Sequence, residues 1–338
     1  MKAYNLYKVN DLRYEEVAKP VCPSGWAIVK VKAAGICSSD VPRIFTKGTY
    51  HFPTIPGHEF AGVVHSVADS ENAPLIGKSV GVFPLIPCYH CESCQERHYE
   101  MCSNYDYIGS RRDGAFAEFV AAPVWNLVEL PNHIPFEEAA MMEPFAVALH
   151  AVKVGHISKG MQVGIIGTGM IGIAAGQWAK MFGADNVTVI GRSEDKRDMV
   201  EHCGLTYIVC NDPSKVIEYD FVLEAVGTPN AIELAISATR RGGSLVLMGN
   251  PSGDISISQA VYWKILRKQL QIAGTWNSSY DGINPSEWTE VVNALANKEI
   301  IADSLITHRF PQEKVMQGLE LMREHKEPYC KVMTIWNE

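Results

Sequence analysis

The chain has 338 residues, 47% of them hydrophobic and 20% charged, with a formal net charge of −8 at pH 7. This length can form two domains with separate cores, and the acidic balance argues against a nucleic-acid partner. The N-terminus has no apolar segment typical of a signal peptide, and no run approaches about eighteen apolar residues, so we expect no membrane partner. Nine cysteines are an odd number, and five of them suit metal ligation better than disulfides, which favours a reducing, cytoplasmic location.

Short β-like runs broken by Gly and Pro fill residues 1–145 and predict a compact β-rich domain. The clearest runs are 26–31, 62–67 and 79–83, with turn residues between them. A helical pattern rich in Ala, Met, Glu and Leu follows over residues 136–154. This change of pattern marks the end of the first domain.

Three segments of this domain carry side chains that bind transition metals. Cys37 lies in Gly-Ile-Cys-Ser-Ser-Asp, His58 in Pro-Gly-His-Glu, and Glu143 in Met-Glu-Pro. One thiolate, one imidazole and one carboxylate leave a fourth position exchangeable, which is typical of catalytic zinc. Taken singly, each residue also fits a structural role, as a core cysteine, a turn histidine or a capping glutamate.

Four cysteines lie close together within residues 84–105. Cys88, Cys91, Cys94 and Cys102 follow the spacing C-x2-C-x2-C-x7-C. Four thiolates fill the tetrahedral coordination of zinc and leave no open position, which predicts a structural site. Ferredoxin-type iron–sulfur runs usually continue x3-Cys-Pro, and this chain does not. Structural zinc is therefore favoured over an iron–sulfur cluster, free thiols or disulfides.

Beyond the helix, short apolar strands alternate with helical stretches through residues 146–276. The predicted strands are 163–166, 187–190, 207–210, 221–224, 245–248 and 270–273, and the clearest helices are 171–181 and 231–238. This alternation predicts a doubly wound, six-stranded parallel sheet. The alternation over 254–258 predicts an edge strand able to pair across a two-fold axis. Residues 277–338 return to mixed α+β patterns, and we expect them to rejoin the first domain.

A glycine-rich loop follows the first of these strands and opens a helix. Its sequence is Gly167-Thr168-Gly169-Met170-Ile171-Gly172, the G-x-G-x-x-G pattern in the context that dinucleotide binding requires. Gly167 allows the tight turn, Gly169 lets the backbone approach a pyrophosphate, and Gly172 lets helix and strand pack closely. Met170 and Ile171 lie at the helix N-terminus, whose N–H groups face the phosphates. The alternative is a structural glycine turn.

The second strand ends in Gly191-Arg192-Ser193, where an NAD enzyme usually places a carboxylate for the ribose 2′-OH. Gly191 removes that carboxylate, and Arg192, with Arg197 one turn on, suits a 2′-phosphate. NADP is therefore favoured over NAD. The alternative is that Arg192 is a solvated surface residue, beside acidic neighbours that dilute its positive field.

These motifs, in this order and over essentially the whole chain, resemble those of the zinc-dependent medium-chain dehydrogenases. Glu143 as the third ligand resembles the polyol branch of that family. The resemblance implies an α/β fold with a GroES-like β-rich catalytic domain and a Rossmann domain, and two zinc ions per chain. It implies oxidation of a secondary alcohol to a ketone, or the reverse reduction. Ser39 is placed like the family's proton relay, Glu59 is a supporting group or transient zinc ligand, and Asp40 is a supporting carboxylate.

A closer resemblance is to the polyol-phosphate dehydrogenases, carried by residues 42–45, 84–88, 107–114 and 264–268. It implies a phosphorylated polyol or sugar substrate. The candidate phosphate ligands are Arg43, Arg111 and Arg112.

Two other functions stay open. One is a dehydrogenase for an unphosphorylated polyol, an aldonate or an amino alcohol. The other is a nucleotide-binding protein on the same fold without catalysis. Family members are commonly oligomeric, so we expect a homodimer or homotetramer.

Overall fold

The structure is a computed structural model and describes residues 1–336. It divides into two compact units. The first comprises Met1–Glu143 and the C-terminal segment from Ser279, and the second comprises Pro144–Ser278. No helix among the described residues is both long and apolar enough to cross a membrane.

The N-terminal part of the chain is built mostly from strands. These are β1 (Lys2–Lys8), β2 (Asp11–Glu16), β3 (Trp26–Ile36), β4 (Glu59–Val67), β5 (Ser79–Val82), β6 (Leu85–Ile86), β7 (Asp106–Tyr107), β8 (Phe119–Pro123) and β9 (Leu127–Glu129). The helices are α1 (Asp40–Pro42), α2 (Glu92–Gln95), α3 (Phe136–Ala139) and α4 (Met142–Val154). Strands β1 and β2 form an antiparallel hairpin, and β6 pairs with β7.

The second unit is a parallel sheet with helices between its strands. The strands are β10 (Gln162–Ile166), β11 (Asn186–Gly191), β12 (Thr206–Val209), β13 (Tyr219–Glu224), β14 (Thr239–Leu247) and β15 (Gln271–Gly274). The helices are α5 (Met170–Met181), α6 (Arg197–His202), α7 (Pro229–Ala238) and α8 (Gln259–Lys268). The strand order is β12-β11-β10-β13-β14-β15, and every pair is parallel. This order is that of a dinucleotide-binding sheet, with its switch point at β10 and β13.

The C-terminal segment belongs to the first unit. It contains α9 (Glu287–Ala296), β16 (Ile306–Pro311), α10 (Val315–Glu324) and β17 (Lys331–Ile335). Strand β17 pairs antiparallel with β3, and the large sheet runs β16-β17-β3-β4-β5-β9 with β8 also on β3. Gly35 of β3 pairs with Glu59 of β4, and Ile36 pairs with Val332 of β17. The ends of three strands therefore meet where the predicted metal ligands lie.

Two sequence-based predictions need correction. The helix predicted over 136–154 is two helices, because Pro144 has no N–H to donate to the Ala140 carbonyl and its ring would clash there. Met141 instead donates to the carbonyl of Glu138, at 3.0 Å. The edge strand predicted over 254–258 is wrong for the single chain, since these residues form no ladder with any strand in residues 1–336.

Candidate functional site

The predicted metal ligands meet at one end of the large sheet. Cys37 directly follows β3 and His58 directly precedes β4, so the pairing of these two strands brings them together. The ligand atoms of Cys37, His58 and Glu59 lie within 4.8 Å of one another. His58 and Glu59 are buried, and Cys37 is half-buried.

Asp40 holds the first two of these residues in place. Its Oδ2 accepts a hydrogen bond from the backbone N–H of Cys37 at 3.0 Å, and its Oδ1 lies 3.5 Å from Nδ1 of His58. Arg43 Nη1 donates to the same Oδ1 at 2.6 Å. Burial alone would raise the pKa of Asp40, but His58 and Arg43 bring it below its ordinary value. The carboxylate is therefore ionised, and it lies beside Nδ1 of His58, on the side from which outer carboxylates orient a zinc-bound histidine.

Lys331, the first residue of β17, pairs with Glu59 inside the protein. Its Nζ donates to Oε2 of Glu59, and both side chains are almost completely buried. Burial lowers the pKa of the Lys331 ammonium, but Glu59 and Cys37 outweigh burial and leave it raised. Position 35 has no side chain because a Cβ there would lie 2.4 Å from the same Oε2. The glycine of the Gly-Ile-Cys motif thus makes room for the Glu59 carboxylate.

Glu143 is buried beside this group but is not among its mutually close ligand atoms. The Tyr107 hydroxyl donates to Oε1 of Glu143 at 3.3 Å, and the Tyr107 ring packs edge-on against the ring of His58, with centroids 5.7 Å apart. Burial raises the pKa of Glu143 to about 7, and the nearby Glu59 carboxylate adds to this rise. His58 and Lys331 act in the opposite direction. A cation bound here would favour the ionised carboxylate.

The residues present fit a zinc ion. Burial lowers the pKa of His58, yet Asp40 and Cys37 raise it well above its ordinary value, so the surroundings favour positive charge at this imidazole. Nδ1 of His58 is buried with no hydrogen bond in the described structure. A thiolate, an imidazole and a carboxylate are the donors that catalytic zinc uses. Ser39, two residues after Cys37, is half-buried, and its hydroxyl does not cap α1.

The four cysteines of the second predicted site form one cluster. Sγ of Cys88 lies 3.9 Å from Sγ of Cys94, and Sγ of Cys91 lies 3.9 Å from Sγ of Cys102. Zinc–sulfur bonds of about 2.3 Å in a tetrahedron place the sulfurs about 3.8 Å apart. Backbone N–H groups lower the pKa of Cys91 to about 6, whereas burial raises that of Cys94 to about 12. None of these thiols is in a disulfide. The cluster therefore fits a zinc ion that displaces the remaining protons.

The glycine loop has the geometry that its sequence predicts. Gly167 has φ of +120°, which favours glycine, and a Cβ on Gly172 would lie 2.1 Å from the Gly167 carbonyl. A Cβ on Gly169 would meet nothing within 4 Å, so this residue faces open space. Helix α5 begins at Met170, followed by Ile171, with Gly169 as its N-cap and no side chain bonded there. The loop fits a dinucleotide pyrophosphate.

The end of β11 carries the remaining predicted cofactor residues. Gly191 is buried, and Arg192 and Ser193 are exposed. Arg197 lies in ion pairs with Glu194 and Glu201. Arg192 forms no ion pair within residues 1–336, and its exposed guanidinium is open to an anionic ligand.

The three arginines predicted to bind phosphate lie in different surroundings. Arg43 pairs with Asp40, as described above, and Arg112 pairs with Asp106. Arg111 lies between the rings of Tyr50 and Tyr105, with its guanidinium carbon 4.3 and 4.4 Å from their centroids. Its Nη1 donates to the Tyr105 carbonyl at 2.7 Å, and its Nε is buried with no hydrogen bond. Arg111 alone among the three is not paired with a carboxylate.

Sequence reasoning missed three polar residues, of which Lys331 and Glu224 are buried and Tyr107 is half-buried. Lys331 and Tyr107 contact the metal group through side chains distant in sequence, so no local motif marks them. Glu224 ends β13, and its Oε1 accepts hydrogen bonds from Val226 and Gly227, each at 2.8 Å. This bonding closes a turn beside the glycine loop, where the Ala225 N–H donates to the Ile166 carbonyl. The run Glu-Ala-Val-Gly after an apolar strand is the available signal for Glu224.

Comparisons with known proteins place the chain among dehydrogenases. A family model described as "Alcohol dehydrogenase GroES-like domain" matches residues 23–132, and one described as "Zinc-binding dehydrogenase" matches residues 171–297. Galactitol 1-phosphate 5-dehydrogenase of Escherichia coli (strain K12) is 34% identical over 301 residues, covering 86% of this chain and 87% of that protein.

Solved structures agree with this. The crystal structure of galactitol-1-phosphate dehydrogenase from Escherichia coli has a TM-score of 0.91 at 32% identity, covering 99% of this chain and 100% of that one. A protein described as a zinc-binding dehydrogenase from Sinorhizobium meliloti 1021, bound to NADP, has a TM-score of 0.88 at 26% identity, with 99% of each chain covered. A short chain alcohol dehydrogenase from Escherichia coli CFT073, complexed with NADH, has a TM-score of 0.91 at 26% identity, again with 99% of each covered.

Proposed function

This chain belongs to the zinc-dependent medium-chain dehydrogenases of the polyol branch, and we propose that it oxidises a secondary alcohol of a polyol phosphate to the ketose phosphate, with NADP as the hydride acceptor. The observation that carries the proposal is the group of Cys37, His58 and Glu59, whose ligand atoms lie close together, with the buried Glu143, Asp40 and Lys331 around it. The substrate that we favour resembles galactitol 1-phosphate, and the reaction can also run as a reduction.

Oxidation of a secondary alcohol removes one hydride from carbon and one proton from the hydroxyl. When bound, zinc supplies a Lewis acid for the substrate oxygen, and the nicotinamide accepts the hydride. Cys37, His58 and Glu143 would hold the zinc, while Lys331 keeps the Glu59 carboxylate in its ion pair. Ser39 takes the hydroxyl proton and passes it to solvent. We further propose that the four-cysteine cluster holds a second zinc ion, in a structural role.

Arg111 is the residue that we propose for the substrate phosphate. Its guanidinium is not paired with a carboxylate, and the two tyrosine rings fix its plane. A charged hydrogen bond here contributes about 1.5–3 kcal/mol, so Arg111→Met should raise the KM for a polyol phosphate about tenfold or more. The kinetics of the unphosphorylated polyol should change little. Arg240→Met, at an exposed arginine of the second unit, is the matched control.

A second candidate is an unphosphorylated polyol. It is favoured by the carboxylate partners of Arg43 and Arg112, which leave one arginine of the three for a phosphate. Initial rates of nicotinamide reduction with hexitols, pentitols and their phosphates separate the two candidates. The proposal requires that kcat/KM be higher for a polyol phosphate than for its parent polyol, and the opposite order favours the second candidate.

NADP is the cofactor that we propose, because Gly191 offers no carboxylate to a ribose and Arg192 is exposed. Relatives of similar fold have been solved with NADP and with NADH, so the family alone does not decide this point. Comparison of kcat/KM for NADPH and NADH on the wild type tests the choice. A clear preference for NADH would overturn it.

We propose that the chain forms a homo-oligomer through the exposed edge of its six-stranded sheet. Strand β15 is the last strand of that sheet, and Ile272 is 40% exposed. Helix α8 presents Tyr262, Trp263 and Leu266 to solvent, between 44% and 56% exposed. We call this surface of α8 and β15 the apolar edge. A second copy of the chain would bury it.

A further inference from the structure

The segment that ends β11 is held at three consecutive carbonyl groups. The Gly191 carbonyl accepts from the Cys210 N–H at 3.1 Å, and the Arg192 carbonyl accepts from Nδ2 of Asn211 at 3.1 Å. The Ser193 carbonyl accepts from the hydroxyl of Tyr207. All three donors belong to β12 or the residues just after it. The neighbouring strand therefore fixes the backbone from which the Arg192 side chain extends.

Tyr207 also fills the space beside Gly191. A Cβ added at position 191 would lie 1.9 Å from the Tyr207 hydroxyl oxygen and 2.7 Å from Cζ of its ring. It would also lie 2.9 Å from Cγ2 of Thr168 in the glycine loop. The φ of Gly191 is not in the left-handed region, so space alone, and not backbone conformation, requires glycine here.

The tyrosine cannot easily move aside. Its side chain is 4% exposed, and the Arg197 guanidinium lies over its ring at 5.1 Å from the centroid. Arg197 also donates to the Tyr207 carbonyl at 3.1 Å, and its guanidinium forms ion pairs with Glu194 and Glu201. Arg197, which the sequence predicts as a cofactor ligand, thus acts on the ring of Tyr207.

We propose that Tyr207 keeps position 191 free of a side chain: it occupies the volume that a side chain there needs and so excludes the carboxylate that would bind an NAD ribose. Such a carboxylate would also repel a 2′-phosphate. Without a carboxylate at position 191, Arg192 is the charged side chain at the end of β11. The inference rests on the proposed use of NADP and adds the residue that enforces it.

Binding of NADPH and NADH, followed by nucleotide fluorescence on full-length protein, tests the inference in four variants. These are Gly191→Asp, Tyr207→Leu, and the double variants G191D/Y207L and G191D/Y207F. Because the new side chain collides with Tyr207, we expect G191D alone to bind both nucleotides at least about tenfold more weakly than wild type. G191D/Y207L should bind NADH at least about tenfold more tightly than G191D/Y207F, since phenylalanine retains the ring carbon that the new Cβ meets. Y207L alone should keep the wild-type order of the two affinities.

The inference is overturned if G191D alone binds NADH as tightly as G191D/Y207L, or if the leucine and phenylalanine double variants bind alike. Gly191→Ala covers the case in which aspartate prevents folding, since it adds the Cβ without charge. The Tm of G191A should be lower than that of wild type. The Tm of G191A/Y207L should be lower than that of Y207L by a smaller amount. Equal decreases in the two comparisons also overturn the inference. If wild type prefers NADH, the NADP proposal fails. The Tm values of G191A and G191A/Y207L still decide whether Tyr207 excludes a side chain at position 191.

Discussion

Lys331 and Glu59 are a buried ion pair whose members lie 272 positions apart in the chain. The side chains join β17 to β4 beside the metal group, and each supplies a counter-charge to the other. A buried carboxylate without a partner is costly, because the interior replaces little of the hydration it loses. The pair therefore fixes the positions of strand β17 and of the Glu59 carboxylate beside the metal ligands.

Lys331→Met should lower the free energy of unfolding by about 3–5 kcal/mol, because it leaves Glu59 buried and uncompensated. Chemical denaturation measures this. The double variant E59Q/K331M should lose less stability than K331M, since no unpaired charge is left. Lys326→Met is the control: it breaks an exposed ion pair with Glu324 and should leave stability unchanged. Equal losses in K331M and K326M would contradict this account of the pair.

At this scale the sequence predicts a residue's chemistry better than its partner. Cys37 and His58 could be identified because each lies in a short motif at a strand end, and the structure brings them together. Arg43 and Arg112 were predicted to face a phosphate, yet both pair with carboxylates of the chain. The spacing of residues along the chain does not show which of several acidic groups a long side chain will reach.

Among the elements, the four-cysteine lobe has a packing partner that its spacing does not reveal. Tyr89 and Tyr99 of the lobe pack edge-on against Trp125, with ring centroids 5.7 and 5.4 Å away. Trp125 in turn contacts Tyr280, at 5.0 Å. The lobe therefore covers an aromatic cluster of the first unit.

Loss of the lobe zinc should destabilise the protein. In Cys91→Ser we expect one zinc fewer per chain and a Tm lower by more than about 5 °C, because metal binding supplies folding free energy to the lobe. Tryptophan fluorescence should change as well, since Trp125 loses its two tyrosine contacts. Cys210→Ser, at a half-buried thiol outside the cluster, should keep the zinc content and spectrum of the wild type. A C91S protein with unchanged Tm would argue against a structural role.

Element types followed from sequence pattern more reliably than element ends. All six strands of the parallel sheet were predicted, because near-continuous apolar runs alternate with helical ones. Strand β14 begins at Thr239 rather than at residue 245, since its first part is polar and carries no apolar signal. The break between α3 and α4 follows from Pro144. Hydrophobic periodicity alone does not predict this break.

At the scale of the whole molecule, the fold class predicted from the motifs is confirmed by the family models and by solved structures of similar fold. The exposure of the apolar edge is not explained by packing within a single chain. Tyr262 and Trp263 are large aromatic residues that a monomer would leave in water. This surface could not be located from the sequence alone, since the residues of α8 have the pattern of an ordinary amphipathic helix.

A charge placed in the apolar edge should weaken assembly. We expect wild type to have a mass in solution of at least twice 37.3 kDa, and Trp263→Glu to shift toward the mass of one chain at low concentration. Light scattering after size exclusion measures this. Val21→Glu, at another exposed apolar residue, should leave the mass unchanged. A wild type that is monomeric at all concentrations would contradict the proposed edge contact.

The most direct measurement is the zinc content per chain of the wild type and of Cys37→Ser, taken together with dehydrogenase activity. A catalytic zinc at Cys37 and His58, separate from the four-cysteine zinc, predicts two ions in the wild type and one in C37S. It also predicts that C37S keeps the wild-type Tm within a few degrees but loses nicotinamide reduction. Two ions in C37S, or full activity with one, would contradict the proposed catalytic centre.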